Sequence, residues 1–131
     1  AQLGSFLRFS IYYKLTNDKL NINDIEITIG INNSIGNRIA WFSTSVVNVE
    51  INNIPSNKGI INIDIDRLPF YPGEYSINLY SKYKGVVCDW VKDAYFFNVI
   101  SNDYFGTGKL INEGQGNILI NHKISIESNI K

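Results

Sequence analysis

Residues 103 to 114 read DYFGTGKLINEG, and the Gly106-Thr107-Gly108-Lys109 run looks like the tail of a phosphate-binding loop. Such a loop needs two glycines five positions apart, then Lys, then Ser or Thr, because backbone amides must wrap the phosphates and the Lys must reach over them. Here Asp103 stands five before Gly108, and Leu110 follows Lys109. No helical pattern follows whose N-terminus could hold a phosphate. The dinucleotide fingerprint fails as well, since Ile111 occupies the third glycine position. The glycines are expected instead to let the chain leave one strand and turn toward the next.

Catalysis has few side chains to draw on. The single histidine and single cysteine permit at most a Cys88–His122 pair, on separate predicted strands or loops, with nothing marking an oxyanion site. Cys88 reads as a small buried hydrophobe and His122, on an apolar strand face, as a buried or interface histidine. No His, Cys or carboxylate cluster has metal-ligand spacing, so neither a metal nor a cofactor is expected. Asp64 and Asp66 share one strand face, about 7 Å apart at a rise of about 3.3 Å per residue, a separation open to inverting glycoside hydrolysis. The strand ends near Leu68, however, and nothing suggests a pocket that would raise one of the two pKa values. The expectation is no catalytic residue and no enzyme.

The elements that must position any site follow from period-two alternation. Leu7, Phe9, Ile11 and Tyr13 share a face, as do Ile25, Ile27, Ile29 and Ile31, then Ile61, Ile63 and Ile65, then Tyr75, Ile77 and Leu79, then Tyr95, Phe97 and Val99. Polar residues mostly fill the alternate positions, and the runs are rich in β-branched and aromatic types, as half-buried strands are. Turn residues separate them: Asn33-Ser34 with Gly36-Asn37, Pro55 to Gly59, Pro72-Gly73 and Lys84-Gly85. No apolar pattern holds a helical period for three turns; Asp89 to Ala94 is expected to make at most one turn of helix. Residues 101–116 read as a loop and 117–127 as one more strand, with Ile118, Ile120, His122, Ile124 and Ile126 on one face. A long loop before an amphipathic strand lets that strand pair far away, on another subunit. The expectation is one all-β domain over 1–131, two antiparallel sheets packed face to face.

Bulk composition fits that picture. The chain has 131 residues, 44% apolar and 18% charged, with twelve basic groups against twelve acidic ones. That balance argues against a nucleic-acid partner, which needs clustered Lys and Arg. With one cysteine no internal disulfide can form, and a reducing compartment is the simpler assumption. No apolar run approaches membrane-spanning length. Eight Tyr, seven Phe and two Trp are more rings than a small core can hold, so some must face outward.

One stretch is more specific. It runs LPFYPGEYSINLYSKYKGVVCDWVKDAYFFNVISNDYFGTGK from Leu68, with Pro72-Gly73-Glu74-Tyr75, Asp89-Trp90, Asp93-Ala94, Phe97, Val99, Phe105-Gly106 and Gly108 in order. It resembles the C-terminal domain of Wzt-type proteins, the nucleotide-binding subunits of ABC transporters that export O-antigen polysaccharide. Gly36 with Thr44 upstream, and Gly116 with the closing strand downstream, extend the likeness from about Phe6 to about Ser125. The resemblance implies an immunoglobulin-like β-sandwich that binds the exported glycan by its non-reducing end. It implies a homodimer whose last strand crosses to the partner. It also implies an ATPase domain preceding residue 1 in a longer protein, linking the chain to a membrane subunit at the cytoplasmic face of the bacterial inner membrane.

Sugar binding needs flat rings for the apolar C–H faces and forked polar groups for vicinal hydroxyls. Two outward faces qualify. The first combines Arg8 and Tyr12 with Asn62 and Asp64, provided their strands are neighbours; the second combines Asn78 and Tyr80 with Asn98 and Trp41. The first is favoured for its wider hydrogen-bonding repertoire, although Arg8 could simply pair with Asp64 across strands. The plain alternative for each residue is a solvated outer surface. Trp90 reads as loop packing, with Asp89 and Asp93 fixing a turn. The rival to a glycan-binding module is a structural or protein-interaction sandwich whose exposed rings meet another protein.

Overall fold

The computed structural model describes residues 1–15, 24–47 and 58–128. Six strands form: β1 (Leu7–Lys14), β2 (Ile25–Asn33), β3 (Arg38–Ser43), β4 (Lys58–Ile65), β5 (Gly73–Tyr83) and β6 (Val86–Val99). They make two antiparallel sheets, a β1–β4 pair and a four-stranded sheet in the order β3-β2-β5-β6. No α-helix forms among the described residues. None is therefore available there to cross a membrane.

The alternation read from the sequence sets which faces meet. Ile29, Ile31, Tyr75, Ile77 and Val99 are buried on the inner side of the larger sheet, and Leu7, Phe9, Ile11, Ile63 and Ile65 of the smaller sheet pack against them. Phe9 and Phe97 meet edge to face at 5.5 Å across the layers, and Phe97 stacks on Tyr75 at 5.5 Å. Burying each such side chain contributes about 1.5–3 kcal/mol, which holds the sheets together.

Leu68 and Phe70, in the segment joining β4 to β5, are fully buried. The Tyr75 hydroxyl donates back to the Tyr71 carbonyl across Pro72-Gly73, fixing the corner into β5. Burial, with a smaller push from Glu113, raises the Tyr75 pKa to about 12.

Several sequence expectations need correcting. Asp89 to Ala94 is strand, not helix: it lies inside β6, where the register against β5 shifts between Ile77 and Leu79 and Asp93 takes a φ of 52°. Cys88, on the same strand, is exposed rather than buried. His122 is exposed as well, with Nδ1 on the Ile120 carbonyl and its ring against Phe105. In the tail, Leu119 is buried while Ile118, Ile120, Ile124 and Ile126 are exposed, the reverse of the face read from alternation. The reason is local. Leu119 N–H donates to Pro69 and Tyr71 N–H to Asn117, so this short clasp turns Leu119 inward. The only strand pairing of 117–127 among the described residues is the isolated Phe70–Ile118 bridge. Residues 101–116 form no strand.

Candidate functional site

A concavity lies on the outer face of the four-stranded sheet. It is an open hollow of about 560 Å³ lined by Asn32 to Gly36, Arg38, Glu74, Tyr75, Ser76, Asn78, Lys92, Asp93 and Phe96. Its position follows from register. Asn32 stands opposite Arg38 on β3 and Ser76 on β5, and Ser76 stands opposite Phe96 on β6. One step along, Gly30 lies between Trp41 and Asn78. Outward positions on an antiparallel sheet are normally wet, yet Thr28, Asn32, Ser76 and Asn78 are all buried.

Their hydrogen bonds show how the floor is built. The Arg38 guanidinium lies across Gly30, where any Cβ would overlap it, and its Nε donates to Asn32 Oδ1 at 2.9 Å. Glycine is required there for close approach, not for backbone strain. Asn78 Oδ1 accepts the Asp93 backbone N–H at 3.0 Å, so the β6 irregularity is pinned to β5 and the amide is held in one orientation. Phe96 stands over Ser76 with 67% of its surface exposed, and Glu74 faces solvent at the end of the floor. Arg38 and Lys92 balance Glu74 and Asp93, so the groove mixes both charges with amides, a hydroxyl and a ring.

Below this floor the face is closed by an internal network. Glu26 Oε1 accepts from the Ser43 and Ser45 hydroxyls, each at 3.0 Å, and Thr28 donates to Ser43. The Ser43 bond first, and the Ser45 bond second, hold the Glu26 carboxyl below its usual range.

The first face expected from sequence is assembled as neighbours on β1 and β4, with Arg8 opposite Asp64 and Ser10 opposite Asn62. Arg8 grips Asp64 through Nε–Oδ1 at 2.6 Å and Nη2–Oδ2 at 3.0 Å, and Ser10 donates to Asn62 at 2.7 Å. The Arg8 hydrogen bond holds the Asp64 carboxyl low, and the same pair raises the Arg8 pKa. Tyr12 stands opposite Ile60, 77% exposed, beside a hollow lined by Tyr13, Lys14, Lys58, Gly59 and Ile60 that reaches neither Arg8 nor Asp64.

Members of the second face do share one surface. Asn78 belongs to the groove, Trp41 flanks it across Gly30, Tyr80 lies one step on, and Asn98 stands opposite Glu74. The groove adds Arg38, Asn32, Ser76 and Phe96 to that surface. Ser76 and Phe96 are legible from the parity of Asn78 and Asn98; Arg38 is not, because the apolar run from Ile39 to Phe42 shows no alternation. Trp90, expected in loop packing, stands opposite Tyr80 with 69% of its surface exposed.

The phosphate-loop look of residues 106–109 has a local explanation. The Thr107 and Gly108 amides donate to the Asp103 carboxylate at 3.0 and 2.8 Å, occupying the donors a phosphate would need. Among the described residues no group of three His, Cys, Asp or Glu could hold a metal.

Comparison with known proteins places the fold. No curated protein matches the chain. Among solved structures, the crystal structure of the C-terminal domain of Wzt superposes with a TM-score of 0.68, covering 96% of this chain and 72% of that one at 10% identity, a likeness of fold. At the sequence level, the Wzt C-terminal domain family matches residues 1–114, which include all six strands and the outer-face groove. This chain belongs to the Wzt C-terminal domain family.

Proposed function

We propose that this domain binds O-antigen polysaccharide for export by an ABC transporter and catalyses no reaction on it. The observation that carries the reading is the groove on the β3-β2-β5-β6 face. It presents an anchored guanidinium, oriented amides and an exposed ring side by side on a rigid sheet. Those are the groups a saccharide needs: ring for C–H face, forks for vicinal hydroxyls. Selection of the non-reducing end would rest on hydroxyl geometry, since a wrong sugar leaves buried polar groups unpaired. The Arg8, Tyr12, Asn62 and Asp64 face is the weaker candidate, because its strongest donor and acceptor already satisfy each other.

Calorimetric titration of this chain with the O-polysaccharide of the organism that encodes it should give saturable heat. No response at millimolar repeat units would overturn the reading. It would favour the rival, a structural or protein-interaction sandwich.

We propose further that the working form is a homodimer, placed at the cytoplasmic face of the inner membrane by an ATPase domain outside this sequence and by the transporter's membrane subunit. β6 is an edge strand whose residues 86 to 96 are exposed on both faces, and the tail carries a row of exposed isoleucines. A strand from a second copy would satisfy both. Deleting residues 117–131 should convert the dimer to monomer in sedimentation.

A further inference from the structure

We infer that the saccharide site does not end at the groove but continues along β5 to a second platform made by Trp90 and Tyr80, so that it takes an extended chain of several sugar units. This rests on the groove being a glycan site. Tyr80 follows Asn78 by one step on the outer face, and Trp90 is its cross-strand partner on β6. The Lys82 ammonium lies 5.7 Å from the Tyr80 ring. Along β5 the outer face therefore reads ring at Phe96, polar fork at Asn78 and Asp93, then ring again at Trp90, over about 13 Å at a strand rise of about 3.3 Å per residue. Rings and forks repeated at that pitch suit a chain of pyranoses, which offers C–H faces and hydroxyl edges in succession.

The exposure of Trp90 also distinguishes this platform from the free β6 edge. Ladder hydrogen bonds run in the plane of the sheet, whereas side chains stand perpendicular to it. A strand pairing with β6 would satisfy its backbone and still leave the indole face open. At 69% exposure Trp90 contributes little to the core, so its loss should leave the fold intact.

The chain has two tryptophans, Trp41 and Trp90, so Trp41→Phe makes Trp90 the sole indole reporter. The probe is a size-fractionated series of oligosaccharides from partial acid hydrolysis of the same O-polysaccharide. Trp90 emission should shift with fragments of about three or more sugar units and stay silent with the shortest fragment that binds. Trp90→Ala should weaken the long fragments about tenfold, the size expected for one lost stacking contact, and leave the shortest unchanged. Equal binding of long fragments by Trp90→Ala, with silent Trp90 emission, overturns the second platform while the groove reading stands. An emission change that follows protein concentration without sugar assigns Trp90 to self-association and also overturns it. No binding at any length by the parent chain removes both.

Discussion

The outer faces of the two sheets carry similar inventories and use them differently. On the β1–β4 ribbon a cation stands opposite a carboxylate and a hydroxyl opposite an amide, and each is hydrogen-bonded to the residue it faces. On the four-stranded sheet the corresponding groups are offset by irregularities on both sides of the centre, between Ile31 and Asn32 on one side and between Ile77 and Leu79 on the other, where a second shift follows between Ser81 and Lys82. The offset turns Arg38 over Gly30 and brings the Asp93 amide onto Asn78, so polar groups are buried, fixed and gathered round a concavity. A regular ladder matches opposite charges and cancels them; a bulged ladder can hold them apart. The richer repertoire at the level of residue types is therefore not the more available one.

The sharpest way to break this contrast is at Asn78. Asn78→Ala removes the acceptor of the Asp93 amide and leaves that donor to find water, at a cost of about 1–3 kcal/mol in stability. Glycan binding should fall below detection in calorimetry while urea denaturation still shows one cooperative transition. Gly30→Ala is the next probe. The new methyl displaces the Arg38 guanidinium, an exposed and flexible side-chain end, so the thermal midpoint should barely move. Binding should weaken tenfold or more, as expected for losing one positioned charged donor. If Gly30→Ala binds the polysaccharide as the parent does, Arg38 is a cover rather than a contact.

Much of this was legible in the sequence, for reasons that differ from element to element. Alternation in β1 and β4 put Arg8, Tyr12, Asn62 and Asp64 on outward positions, because a straight two-stranded ladder obeys period two along its whole length; that the two strands pair with Arg8 opposite Asp64 is shown by the structure. The inward isoleucines of β2 were read for the same reason. β3 was not, because Ile39-Ala40-Trp41-Phe42 is a continuous apolar run, and such a run carries no periodicity of its own. The composition of Asp89 to Ala94 speaks against a strand, since Asp and Lys disfavour strands; pairing with β5 overrides that local preference. The groove was half visible. Parity put Asn78, Tyr80 and Asn98 on one face, but burial of Thr28, Asn32, Ser76 and Asn78 depends on which neighbouring side chains fold down over them. That is a tertiary fact with no signature in spacing.

The smallest expected effect is on the other face, and it is the one that tests the contrast from its weaker side. Asp64 is held below the ordinary carboxylate range by its Arg8 hydrogen bond. A carboxyl lowered on folding stabilises the native state above its unfolded value of about 3.9, and that contribution disappears as pH falls through the lower folded value. Asp64→Asn should therefore be slightly less stable than the parent at neutral pH, and the difference should close in strong acid. The pair is exposed, so raising salt should shrink the difference at neutral pH too. Paired urea denaturation curves from pH 7 down to pH 2 would check this. In the same variant glycan affinity should be unchanged, because Asp64 already spends both oxygens on Arg8. A severalfold loss of affinity in Asp64→Asn, alongside parent-like binding in Gly30→Ala, would reverse the assignment. The β1–β4 ribbon would then be the sugar-reading face, with the Arg8–Asp64 pair opening to admit its ligand.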